Sequence, residues 1–177
     1  MAGFQERIIR AAKLDVTLYE EVEADTGALG QAMGVVVLSS VAGGLGAIST
    51  AGLGGLVVGT VAALIGWYVW AYLTYLIGAK LLPEPQTRAD VGQLLRTIGF
   101  SSSPGLIRVL GIIPVLRGLV LLAASVWMLV AMVIAVRQAL DYRSTLRAVG
   151  VCAVGWIIQG LLLALVFSLL GGASKPV

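Results

Sequence analysis

The chain has 177 residues, 59% of them apolar and 12% charged, with a net charge of +3 and a mean hydropathy of +0.99. A soluble domain carries about 25% charged residues, so charges this sparse cannot coat a water-exposed surface and lipid must cover much of it. There is no histidine and only one cysteine, which removes the usual general base, the commonest metal ligand, any intramolecular disulfide and any Cys-based zinc site.

The opening segment, MAGFQERIIRAAKLDVTLYEEVEAD, has no apolar core beside its basic residues and is rich in acids. It is not a secretory signal, and the first span is expected to act as an uncleaved anchor. Phe4, Ile8, Ala11 and Ala12 fall near one face at helical spacing, with Arg7, Arg10 and Lys13 beside them. Leu14, Leu18 and Val22 continue an apolar stripe. Residues 1–27 are therefore predicted to be a cytosolic amphipathic segment of one or two short helices at the membrane surface. Glu20, Glu21 and Glu23 lack the alternating pattern of a calcium loop and are read as a solvated face.

From Asp25 to Lys80 no residue is charged over 54 positions. A bilayer core takes about 20 residues of helix, so this run holds two spans, near 28–48 and 53–79, with a break in STAGLGG. Pro83 and Pro85 stop the second. Thr87 or Asp90 can cap a third helix, near 91–110. Uncharged runs then give a fourth span near 117–137 and a fifth near 147–170, leaving 171–177 as an outer tail. The predicted fold class is all-α, a polytopic bundle of five transmembrane helices.

The third span is the doubtful one, and the basic residues arbitrate. With five spans and the N-terminus inside, nine Lys and Arg face the cytosol and only Arg108, Arg117 and Lys175 lie outside. Skipping the third span destroys that bias, so positive-inside topology favours the crossing. All nine acids also fall inside, and 18 of the 21 charges then face the cytosol. A soluble partner would be met from that side. The charge distribution points to membrane lipids and a protein partner rather than nucleic acid.

Small residues recur at four-residue spacing, including Gly30 with Gly34, Ser39 with Gly43, Ser40 with Gly44, and Gly55 with Gly59. Such spacing lets helix backbones approach closely in lipid, within one chain or in a homo-oligomer. WYVWAYLTY ends the second span. Tyr72 and Tyr75 suit an interfacial belt near Lys80, while Trp67 and Trp70 lie deeper, packing or lining a crevice.

Within TIGFSSSPGLIRVLGIIPVLRGL, Pro104 removes one helical hydrogen bond and frees the Phe100 carbonyl. Ser101, Ser102 and Ser103 are placed to satisfy it, and Gly105 allows a close neighbour. Either the segment is a kink that shapes the bundle, or it lines a polar cavity as broken helices do in transporters. Arg108 is expected to snorkel to the outer interface. Between the last two spans, Arg137 and Asp141 can pair if the helix continues, Ser144 can cap the next helix, and Arg137, Asp141, Arg143 and Arg147 can meet lipid head groups or a cytosolic partner. No span holds an acid, no phosphate loop or metal cluster is present, and no cofactor is expected. Cys152 lies in an apolar run and reads as a small buried hydrophobe.

LDVTLYEEVEAD before the first span, LLRTIGFSSSPGLIRVLGIIPVLRGL across the third and AVRQALDYRSTLRAVGV before the last occur in a familiar order. The sequence resembles a bacterial member of the Ypt-interacting-protein (Yip) domain family of five-span membrane proteins. The eukaryotic relatives bind Rab-type GTPases through a long cytosolic N-terminus. About 25 residues precede the first span here, too few for that platform, so the GTPase role is not carried over. The resemblance implies a cell (inner) membrane protein without fixing a mechanism. The expected role is a non-enzymatic scaffold or accessory subunit of a membrane assembly. The alternative is a carrier or channel for lipid or a small molecule, using a crevice at the broken third span.

Overall fold

The computed structural model describes residues 3–171; most of the expected outer tail, including Lys175, lies outside the described residues. Every regular element among them is helical. Two short helices, α1 (Phe4–Ala12) and α2 (Val16–Ala24), precede α3 (Leu29–Gly46) and α4 (Ile48–Thr74). Helix α5 (Val91–Phe100) leads into a 3-10 segment (Ser103–Ile112), followed by α6 (Arg117–Ala139) and α7 (Thr145–Gly171).

The α3–α4 break comes at Ala47, just before the STAGLGG stretch, and a kink within α4 falls inside that stretch. Ala47 leaves helical geometry, and Gly52 adopts φ 63°, ψ −176°, a conformation open essentially to glycine alone. At its far end α4 widens into a π-helix, Tyr75–Leu81. A π turn displaces carbonyls from their usual partners, and here the Tyr142 hydroxyl lies 2.8 Å from the Gly78 carbonyl and 2.7 Å from that of Leu82. Asp90 starts α5 with a full capping box closed by Gln93. Thr87, the other candidate cap, instead donates to the Leu140 carbonyl at 2.8 Å.

The third hydrophobic segment is not one continuous helix. The α-helix stops at Phe100, Ser101 and Ser102 turn, and the chain resumes as 3-10 helix. Pro104 therefore sits in the first turn of a new element, where a missing N–H costs little. The Ser101 hydroxyl donates to the Ile98 carbonyl at 2.7 Å, two residues before the Phe100 carbonyl expected to need it.

This broken segment is the centre of the bundle, with Leu94, Leu95, Ile98 and Phe100 buried. It runs parallel to α3. A Cβ on Gly99 would stand 2.7 Å from that of Ala32, one on Gly105 would meet Ser39, and one on Gly46 would lie 2.3 Å from the Arg108 carbonyl oxygen. Three helices are long and apolar enough to cross a membrane, Thr26–Gly46, Gly52–Leu81 and Arg117–Ala139, and Thr145–Leu161 is a shorter apolar helix. The molecule is thus an all-helical multi-pass membrane protein.

Helix α1 lies across the bundle. Its Phe4 ring approaches Gly34, and Trp127 of α6 donates to the Ala12 carbonyl at 2.8 Å. Ala11, Leu18, Tyr19 and Val22 join a core with Ala32, Val35, Phe100 and Ala135.

Candidate functional site

Two polar features stand out in this apolar molecule. The first is a layer at the end of the bundle where α2, the α4–α5 loop and the α6–α7 loop meet. Helix α6 ends at Ala139, and Asp141 turns the chain with φ 52°. The expected Arg137–Asp141 pair does not form, because the helix stops before one further turn is complete. Arg137 instead donates to the carbonyls of Tyr142 at 3.1 Å and Arg143 at 3.2 Å, closing the loop on itself. Glu84 ties the two loops together: it accepts from the Arg143 backbone N–H at 3.2 Å and pairs with Arg147 at 3.4 Å. Those contacts, the Arg143 amide foremost, hold its carboxyl below the ordinary range.

The acidic N-terminal residues are also not a freely solvated face. Arg7, only 3% exposed, binds Glu21 at 2.9 Å, Asp25 at 2.8 Å and Gln31 at 3.0 Å. Arg10 binds Asp15 at 2.8 Å and Glu21 at 2.6 Å. Hydrogen bonds from Arg10 and Thr17 lower the Asp15 carboxyl to about 2. Arg96 of α5 reaches out of the core and donates to the Val22 carbonyl at 2.9 Å and to that of Glu23. Glu23 differs from its neighbours, since burial, then the nearby Asp141, pushes its carboxyl up to about 7. Glu20, Glu23, Arg137, Asp141 and Arg143 share a polar cavity of about 620 Å³ with Gln86, Gln93 and Gln138. Of the four loop residues read as contacts, Arg137, Asp141 and Arg143 line this cavity, while Arg147 packs against Glu84 and the Tyr142 ring.

The second feature is a cavity of about 500 Å³ inside the bundle, walled by α3, α4, the α5 break, α6 and α7. It brings together Trp67, Trp70, Ser102 and Arg108 with Ser39, Ser40, Trp156 and Gln159. Ser101, Ser103, Pro104 and Gly105 are buried behind it. Trp67 donates to the Leu95 carbonyl at 3.0 Å. Trp70 packs on Gly155 and Trp156, and its indole N–H and the Ser103 hydroxyl are buried without a hydrogen-bond partner among the described residues. Arg108 does not snorkel outward. Its Nε donates to the Gly105 carbonyl at 3.1 Å, and its Nη2 lies 2.8 Å from both the carbonyl and the hydroxyl of Ser39. The 3-10 turn aims the side chain back along α3, where buried carbonyls replace interfacial water.

The glycines read as packing positions divide. A Cβ on Gly34, Gly43 or Gly44 would touch Phe4, Arg108 or Leu56, whereas Gly30 and Gly59 meet nothing within 4 Å and Gly55 is exposed. Arg7, Arg96, Ser39 and Gln159 carried weight that sequence reading did not give them. The polar residue in WIIQGLL was the one visible signal for Gln159.

The Yip1 domain family model matches residues 19–167. The chain belongs to the Yip1 family. The match runs from α2 through most of α7, so it takes in both polar features of this Yip1 protein and leaves α1 outside. The family resemblance carried by the three sequence stretches is thereby established. No curated protein and no solved structure matches the chain.

Proposed function

We propose that this Yip1-family protein is a non-enzymatic scaffold or accessory subunit of a membrane assembly. It crosses the cell membrane five times, the third time as α5 plus the 3-10 segment, with the N-terminus in the cytosol and the C-terminus outside. The observation that carries the role is the polar layer. Helix α2 and two loops far apart in sequence are bound into one surface by Arg96, Glu84, Thr87 and Tyr142. A surface so pre-ordered loses little entropy on meeting a partner, and Arg143 and Asp141 remain exposed on it. The parallel run of α3 and the third segment supports the five crossings, because antiparallel α4 then returns the chain to the polar end.

Gentle extraction with native lipids followed by native mass spectrometry tests the role. A stoichiometric protein partner is expected, lost when Arg143 and Asp141 are reversed in charge. A chain that is always alone or only self-associated contradicts it. One observation, the cavity at Arg108, favours a second reading as a carrier or channel for lipid or a small molecule. Flux no greater than that of empty membrane, with or without replacement of Pro104 and Ser101–Ser103, ends that reading.

A further inference from the structure

We propose that the cavity beside Arg108 binds one anionic phospholipid, its phosphate on the guanidinium and an acyl chain in the groove between α6 and α7. The inference requires neither a protein partner nor transport.

The guanidinium sits beside Ser39 and Gly43 of α3. At 1.5 Å per residue that is ~20–27 Å along the helix from Asp25, within a hydrocarbon core of about 30 Å. That lies towards the outer edge of the core, the level of a lipid phosphate, and a cation held below the interface there gains from a compensating anion. No carboxylate pairs with Arg108 among the described residues. Backbone and hydroxyl oxygens occupy its Nε and Nη2, and its Nη1 donors meet no acceptor there. Ser40, Ser102 and Gln159 line the same space, so the site offers hydrogen bonds around an uncompensated positive charge.

Shape then selects the occupant. A second cavity of about 470 Å³ shares Arg108, Met128, Met132 and Trp156 with the first. It meets a third, of about 380 Å³, at Leu129 and Trp156. The third is lined almost wholly by apolar side chains of α6 and α7, among them Val130, Val133, Val149 and Cys152. None of the three has an acidic lining residue. A cationic head site opening into an apolar trough matches a phosphate joined to a hydrocarbon chain, and free phosphate would leave the trough empty. Phosphate oxygens accept the unused guanidinium donors as a charge-assisted pair.

Tryptophan fluorescence of the full chain in detergent reads this directly, because Trp67, Trp70 and Trp156 line the first cavity and Trp127 does not. A Trp127→Phe background removes the outside signal. Phosphatidylglycerol with brominated acyl chains should quench at a mole fraction about tenfold below brominated phosphatidylcholine, the ratio worth 1.4 kcal/mol. Arg108→Gln should erase that preference. Gly59→Leu should erase it too: it retains Arg108, and no heavy atom lies within 4 Å of the new Cβ, so it tests the site even where Arg108→Gln fails to fold. Equal quenching by the two lipids, or a preference that survives both variants, overturns the proposal. Loss of the preference in excess inorganic phosphate also overturns it, assigning the site to a free anion.

Discussion

The Arg96 Nε donates to the carbonyl of Val22 at 2.9 Å, joining the core of the third hydrophobic segment to the last turn of α2. The same guanidinium meets the Glu23 carbonyl. Carbonyls in the last turn of a helix have no intrahelical partner, so one buried arginine caps α2 and anchors it at once. Arg96→Ala should loosen the N-terminal hairpin by about 1.5–3 kcal/mol, the range for hydrogen bonds to a charged group. Amide exchange over residues 4–24 should accelerate while the α6 core stays protected. Equal acceleration in both places contradicts a local anchor.

Arg7 has a different task. It neutralises Glu21 and Asp25 while lying almost wholly buried. Arg7→Ala strands two partly exposed carboxylates, and a loss of about 1–3 kcal/mol is expected in thermal unfolding. Glu21→Gln together with Asp25→Asn in that background should recover part of it. The paired carboxyls are lowered, by Arg10 first for Glu21 and by Arg7 first for Asp25. Their stabilisation is therefore full above the unfolded carboxylate range and lost as pH falls through the lowered folded values.

Glu23 has the opposite sign. Its carboxyl rises from 4.5 to about 7, so the native state holds a proton that the unfolded state releases. Docking of α2 should weaken as pH climbs from about 4.5 to about 7 and level off above that. Besides burial, Asp141, Glu20 and Asp90 disfavour the charge and Arg96 favours it. Glu23→Gln should flatten the dependence in a melting series across that window. An unchanged slope contradicts the assignment.

The glycines give a paired test of packing. Gly46→Ala would drive a Cβ to 2.3 Å from a backbone oxygen, and Gly99→Ala to 2.7 Å from Ala32. Each should cost about 1–3 kcal/mol, as overpacking does. Gly30→Ala and Gly59→Ala meet open space and should be neutral or stabilising by up to about 1 kcal/mol through helix propensity. Thermal unfolding of the four variants in one detergent checks the contrast.

The apolar helices were legible because long uncharged runs have one economical solution in lipid. The Asp90 start of α5 and the Gly52 kink in α4 were legible as local backbone chemistry. The fates of Arg7, Arg96 and Arg108 were not. Each depends on which helix docks beside it, and the charge count alone treated the first two as surface markers and the third as a snorkelling chain. The α5 break was visible in SSSPG, yet its resolution into a 3-10 segment beside α3 depends on Gly46, Gly99 and Gly105, which meet only in the folded bundle. The Arg137–Asp141 pair does not form because α6 ends at Ala139 and Asp141 takes a positive φ, which leaves Arg137 on the Tyr142 and Arg143 carbonyls.

The proposed crossing of the membrane by the third segment puts the α4–α5 loop and the loop before α6 on opposite sides. Single cysteines test this in a Cys152→Ser background. Val115 is 92% exposed and Arg88 is exposed as well. In intact cells an impermeant maleimide should label Val115→Cys, and should reach Arg88→Cys only after the membrane is opened. Labelling of both from the same side would contradict the crossing and, with it, the cytosolic placement of the polar layer.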